Sequence, residues 1–431
     1  MEPLLPSKNL SASIGPVADA PLQPPSPAHL VTDPKQTPPA ARQSVADFER
    51  IETGAELEAL ARDLARQKVI AIDTEADSFY HYFDKTCLVQ IATKRSIYLV
   101  DPLALGGPED MQPLGAVLAS PDVRKIFHAA EYDLFVLNRD CGFTAANLFD
   151  TMISAQMLGY PAIGLAALVE RHFGLKLPKD EQRSDWSSRP LSDSQLTYAA
   201  ADVAHLLALA EKLERELVKH ERREWAQEEF EALTRRSWPE RGFDRLGYLR
   251  IKGARAMSPE SLGVLRELYL VRDRRAREID RPPFKVLANR TLLEIAEIKP
   301  RNDSELAAIK GVTDLVLRRL GREVLTAVEH GVEKKHGPLP RRSEGEGPVR
   351  RRIDRHAERF LAALKRWRTE RAKELSLDPG VLCPNVTLEA IASERPSSRD
   401  ELARVAGVKG WFGRAFGSEV LEALANAPPA E

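Results

Sequence analysis

An α/β domain with a mixed sheet flanked by helices is predicted over residues 48–225, followed by two small all-α units at 254–333 and 351–428. Three observations predict this. Strand-length apolar runs alternate with helix-period segments between Phe48 and Trp225. One of those runs, Val69 to Ile72, stops abruptly at two acids, Asp73 and Glu75. From Arg272 onward the chain repeats itself at a constant offset of 96 positions, an internal duplication.

Composition sets outer bounds. At 431 residues the chain exceeds one compact core. It is 29% charged and 43% hydrophobic, with a formal charge of −1, so any surface for a polyanion must be local. Cys87, Cys141 and Cys383 show no paired spacing, which disfavours a disulfide framework or a structural zinc site and suits a reducing cytoplasm. No signal peptide is expected from the Met-Glu-Pro start, and no apolar run nears the roughly 18 residues of a membrane span. A monomer is the favoured state.

Residues 1–47, rich in Pro, Ala and Ser, lack periodicity and are expected to be disordered. Leu57, Leu60 and Leu64 give a helix over Ala55–Gln67. The Lys68–Glu75 strand follows, then strands at Thr86–Thr93 and Arg95–Asp101 that read as an antiparallel meander. A helix at Met111–Ala119, a strand at Arg124–His128, a helix from Ala130 and a strand at Asn147–Phe149 complete the alternation. A polar segment from Lys179 to Leu191 leads to Ser192 and Gln195, spaced as a capping box. One helix is predicted from there, Asp193 to about His220, with Leu196, Ala199, Ala200, Val203 and Leu207 in its core stripe. Residues 226–253 read as a charged helical linker, and 334–350 as a Pro/Gly/Arg/Glu linker.

The duplication pairs Arg275 with Arg371, Pro283 with Pro379, Asn289 with Asn385, Gly311 with Gly407 and Gly321 with Gly417. The second copy opens on a basic run: Arg341 to Lys373 holds twelve Lys or Arg against five acids, with Trp367 among them. That suits a nucleic-acid backbone, or a solvated helix face.

Side chains alternate along a strand, so Asp73 and Glu75 share a face. Two carboxylates there repel, and a hard divalent cation would neutralise both. The plain alternative is a strand ending in a polar turn. Asp133 lies in a helix's first turn just past a strand, as a dipole-favoured acid or a ligand. Tyr198 and Asp202, four apart, share one helix face at the edge of the buried stripe; a half-exposed Tyr near an Asp is the alternative.

The contexts Ile-Asp73-Thr-Glu75, His-Ala-Ala-Glu-Tyr-Asp133 and Tyr198-Ala-Ala-Ala-Asp202 resemble the three motifs of the DEDD 3′–5′ exonucleases. The tyrosine four before the last Asp resembles that of the tyrosine-type branch. Lys179 to Leu191 resembles ribonuclease D and its exosome-associated relatives, and the duplicated units resemble HRDC domains. The resemblance covers roughly residues 50–425. It implies a ribonuclease H-like fold and catalytic Asp73, Glu75, Asp133, Tyr198 and Asp202. It implies two divalent cations, Mg²⁺ or Mn²⁺, held by the four acids, with Asp133 acting partly through water. Two metals about 3.5–4 Å apart can neutralise the phosphate, activate water and stabilise the leaving oxygen. Tyr198 would orient the attacking water, since an unshifted tyrosine pKa of about 10 makes a poor base.

The expected activity is stepwise hydrolysis of RNA from its 3′ hydroxyl end to 5′-nucleoside monophosphates, on tRNA precursors or in RNA turnover. Lys179, Gln90 and His128 are candidate substrate contacts, although Gln90 and His128 also suit a satisfied structural role. Ribonuclease D relatives often carry a bulky residue after the first-motif Glu; here it is Ala76, and Phe79, Tyr80, Tyr82 and Phe83 follow. Those aromatics are read as packed strand residues, with base stacking as the other reading. The HRDC-like units are expected to tether RNA, and Gly410-Trp411-Phe412-Gly413 marks the second copy as diverged towards binding or towards packing on the nuclease. A DNA-repair exonuclease, a non-catalytic RNA-binding adaptor and a structural protein are the competing readings.

Overall fold

The computed structural model describes residues 47–178, 180–238, 242–334 and 355–427. The expected tail, apart from Asp47, and the expected 334–350 linker, apart from Lys334, lie outside these residues.

Six strands form one mixed sheet: β1 (Phe48–Ile51), β2 (Val69–Ala76), β3 (Thr86–Ala92), β4 (Ile97–Val100), β5 (Arg124–Phe127) and β6 (Leu148–Asp150), in the order β1-β4-β3-β2-β5-β6. β2, β3 and β4 are the antiparallel meander, while β1/β4, β2/β5 and β5/β6 run parallel. β1 carries no sequence signal because only Ile51 of its four residues is buried.

Around the sheet lie α1 (Gly54–Leu64), α2 (Pro102–Leu105), α3 (Gln112–Ala119), α4 (Glu131–Cys141), α5 (Thr151–Met157), α6 (Leu165–Phe173), α7 (Asp193–Ala204), α8 (Leu206–Lys219) and α9 (Arg223–Thr234). Thr53 and Glu56 close a capping box that starts α1. On one face, Ile70, Ile72, Val89 and Ile91 meet Leu64 of α1, Leu114, Val117 and Leu118 of α3, and Leu137 of α4. The other face of β2, carrying Ala71, Asp73 and Glu75, is covered by α7 and α8.

The single helix expected from Asp193 to His220 is two. His205, at φ −108° and ψ −5°, separates α7, which lies on β2, β3 and β4, from α8, which lies on β2, β5 and α5. The break lets one apolar stripe follow a twisted sheet. α9 overruns the boundary expected at 225, because Phe230 packs against Phe149 of β6 with ring centroids 5.0 Å apart.

The two helical units share one plan. The first has α10 (Pro259–Glu278), α11 (Pro283–Val286), α12 (Asn289–Ile298), α13 (Asp303–Ala307) and α14 (Asp314–Lys334). The second has α15 (Arg355–Glu374), α16 (Pro379–Leu382), α17 (Asn385–Glu394), α18 (Arg399–Arg404) and α19 (Gly410–Ala425). Left-handed residues recur in register: Asp280, Lys299 and Gly311 in one, Ser376, Arg395 and Gly407 in the other. A Cβ on Gly311 would lie 2.4 Å from Thr291 Oγ1, and one on Gly407 2.8 Å from Thr387 Oγ1, so both turns need glycine.

Their packing differs. The first unit closes its own core around Leu265, Leu268, Leu292, Ile295 and Val324. The second shares one continuous core with the nuclease. Trp411 stacks on Trp225 at 4.8 Å, its indole N–H donates to Glu229 at 2.8 Å, and Lys409 pairs with Glu229 at 2.7 Å. Arg222 donates to Leu375 O at 2.6 Å. The Gly410–Gly413 segment has thus diverged towards packing. Members of the basic run are built in likewise: Trp367 donates to Glu419, Arg368 to Cys383 O, and Arg371 pairs with Glu374.

Candidate active site

The strand end and α7 bring three acids together. Asp73, Glu75 and Asp202 are 4%, 8% and 8% exposed, and each offers an oxygen within 4.8 Å of the others. Strand alternation puts the first two on one face, and α7 lays Asp202 across it. Three buried carboxylates this close repel strongly, so an all-oxygen donor set of this kind fits a hard divalent cation.

Asp133 arrives from the other side. Thr74, between the two strand acids and so on the opposite face, donates its hydroxyl to Asp133 Oδ1 at 2.6 Å. Asp133 is 2% exposed in the first turn of α4. The start of α4 is fixed by Asp150, whose carboxylate accepts from Ala129 N (3.2 Å) and Ala130 N (2.7 Å) and also caps α5 through Met152 N (2.8 Å) and Ile153 N (3.0 Å). Thr74 and Asp150 were not singled out in the sequence; an acid followed by Thr at a strand-to-helix junction is an N-cap signal that marks the second.

Tyr198 sits one turn before Asp202 and is buried, not half-exposed. Its ring lies 6.0 Å from that of Trp186, which is fully enclosed. Trp186 belongs to the polar segment, which Arg189 anchors by forking both oxygens of Asp101 at 2.7 Å. The charge of Arg189 is therefore neutralised within the fold. Lys179 lies outside the described residues.

Gln90 is directly opposite Asp73 in the β2/β3 register, hence on the same face. It has no exposed surface, and neither amide atom has a hydrogen-bond partner among the described residues. A satisfied structural role therefore does not describe it. His128 Nδ1 lies 2.9 Å from Thr151 Oγ1, whose own hydrogen goes to Phe127 O at 3.0 Å. Nδ1 must then donate, which sets the tautomer and gives His128 a structural bond.

The 3′–5′ exonuclease family model matches residues 48–218, and the HRDC domain model matches 261–328 and 347–424. Ribonuclease D of Gluconacetobacter diazotrophicus is 33% identical over 391 residues, covering 88% of this chain and 94% of that protein. The chain belongs to the ribonuclease D family. Ribonuclease D of Pseudomonas paraeruginosa is 32% identical, covering 88% and 98% of the two chains. Escherichia coli RNase D, described as an exoribonuclease involved in structured RNA processing, superposes with a TM-score of 0.65 at 26% identity, over 89% of this chain and all of that one. The catalytic core of RRP6 from Trypanosoma brucei gives 0.59 at 29% identity, over 67% and 80%. As a ribonuclease D, the protein is a hydrolytic 3′–5′ exoribonuclease with an acidic cluster suited to divalent metal. The DNA-repair and adaptor readings are not favoured. Among the described residues no helix is long and apolar enough to cross a membrane.

Proposed function

We propose that Asp73, Glu75 and Asp202, joined by Asp133, hold two divalent cations, Mg²⁺ or Mn²⁺, at the 3′ end of an RNA strand. Bound ions of this kind neutralise phosphate charge, acidify a water and stabilise the leaving oxygen. The observation that carries this reading is three buried carboxylates within 4.8 Å with Tyr198 one helical turn away. Tyr198 accepts or donates one hydrogen bond to the attacking water and fixes its approach. Trp186 limits the freedom of that ring. Thr74 holds Asp133 in place, and Gln90 turns its amide to the groups beside Asp73. Each turnover releases a 5′-nucleoside monophosphate and leaves a new 3′ hydroxyl. Structured RNA with a short single-stranded 3′ end, such as a tRNA precursor, is the substrate class we assign, acted on in the cytoplasm by a monomer.

The test is digestion of 5′-labelled RNA, with and without Mg²⁺ or Mn²⁺, by the parent chain and by Asp202→Asn. The parent should give a ladder shrinking from the 3′ end that chelation stops. Removing one ligand forfeits several kcal/mol of charge stabilisation, so Asp202→Asn should lower turnover by about 10³-fold while RNA binding persists. Metal-dependent digestion by the variant at the parent rate would refute the assignment.

A further inference from the structure

The connection between β2 and β3, residues 77–85, is not the strand expected of its aromatics; it is a loop that meets two other parts of the molecule. Towards the first helical unit, His81 Nδ1 bonds Asp280 at 2.6 Å, Tyr82 OH donates to Asp273 at 2.8 Å, and the Tyr82 and Phe83 amides donate to Asp280 at 3.0 and 3.1 Å. Towards the polar segment, Tyr80 OH donates to Arg183 O at 2.9 Å and His81 Nε2 lies 3.0 Å from Ser187 Oγ. Phe79 meets Phe284 edge-on at 6.4 Å. Lys285 Nζ lies 4.0 Å from the centre of the Tyr80 ring, and Arg183 lies 6.0 Å from that of Phe79.

Two features of this seam point to a ligand. The exposed phenylalanines among the described residues are Phe83 (49%) and Phe284 (41%), and both are here. The charges are also sorted. Four acids of the loop and the facing helical unit are engaged: Asp77 by Lys85, Asp84 by Arg139, Asp273 by Tyr82, Asp280 by His81. Arg183, Arg281 and Lys285 are exposed and make no ion pair among the described residues. Exposed rings interleaved with uncompensated cations match the stacking faces and phosphates of a single strand. The seam also adjoins the cleft: Asp77 is two residues past Glu75, and the segment carrying Arg183 reaches Tyr198 through Trp186.

We propose that this seam, made jointly by the nuclease loop and the first helical unit, binds the single-stranded RNA just upstream of the 3′-terminal nucleotides. Phe284, Phe79 and Phe83 offer rings to the bases, and Arg183, Arg281 and Lys285 contact phosphates. The second unit, locked into the nuclease core, does not supply this grip. The proposal rests on the exoribonuclease reading.

The experiment is fluorescence anisotropy with the full chain carrying Asp202→Asn in Mg²⁺, using single-stranded RNA of about ten nucleotides, within the size of common single-strand sites, and a dinucleotide, below it. Phe284→Ala should weaken binding of the longer RNA about tenfold, the loss of one stacked base, with a much smaller effect on the dinucleotide. Lys285→Ala and Arg281→Ala should each lower the slope of log affinity against log salt by about 0.7. Lys365→Ala and Arg366→Ala on α15 serve as a charge-matched control.

Unchanged affinity and salt slope in the seam variants would overturn the proposal. So would equal losses on both RNA lengths, or losses matched by the α15 variants. Failure of the exoribonuclease reading looks different: the parent chain would not shorten labelled RNA with either metal, whatever the seam variants bind.

Discussion

Lys125 on β5 has no exposed surface, and its ammonium donates to Ser120 O at 2.5 Å. Burial lowers its pKa to about 8. The unfolded lysine titrates at about 10.4, so between these values the unfolded chain binds the extra proton and stability rises with pH. The cost of the buried charge is full below about pH 8 and is relieved towards about pH 10. Lys125→Met should therefore be more stable than the parent at neutral pH, with the gap narrowing on alkaline titration. Urea unfolding at a series of pH values measures it; a pH-independent gap would contradict the account. At this scale the strand acids were legible, because alternation along one chain puts Asp73 and Glu75 on a common face. Thr74 was not, because its meaning comes from a partner, Asp133, 59 positions away; Gln90 was a candidate, but its place opposite Asp73 follows only from the strand pairing.

Among elements, the junction at Asp150 ties two helix starts to one carboxylate. Four backbone N–H groups converge on it, and Ala129 is held at φ 62° beside it. Asp150→Asn keeps the shape but turns an amide N–H₂ towards donors, leaving N–H groups unmatched at a cost of about 1–3 kcal/mol. Because α4 presents Asp133 in its first turn, turnover should fall as well, with a larger effect on kcat than on KM. Denaturation together with saturation kinetics checks both; a stability loss with kcat intact would separate Asp150 from the site. Periodicity located most strands and helices of this domain. It did not show β1, which has one buried residue, or the break at His205, which is set by the twist of a sheet that no local pattern encodes.

For the whole molecule, two hydrophobic cores matter more than three domains. The nuclease and second unit share one core and the first unit has its own, so the first pair should unfold in a single transition. Gly159 tests the joint: at φ 75°, a Cβ there would lie 1.8 Å from Ser376 O. Gly159→Ala should destabilise nuclease and second unit together, by several kcal/mol if the backbones must part, while amide exchange in α10 and α14 stays at the parent level. Loss confined to the second unit would deny the shared core. The duplication was legible from its constant offset. The fusion of only one copy was not, since it depends on surfaces such as Trp225 against Trp411 that lie 186 positions apart in the chain.

Both copies touch the nuclease with the same corner, the left-handed turn after their first helix, at Asp280 in one and Ser376 in the other. Ancestry gave them one backbone, yet their joints differ in how they withstand mutational drift. At the first corner the contact is a side chain, the Asp280 carboxylate, and a single replacement removes its bonds to His81 and to the Tyr82 and Phe83 amides. At the second corner the contacts are main-chain carbonyls, those of Leu375 and Ser376, which any residue at those positions supplies. Heredity can therefore retune the RNA-facing corner in one step, while the carbonyls of the other corner are released from the receiving side, at Arg222 or Gly159.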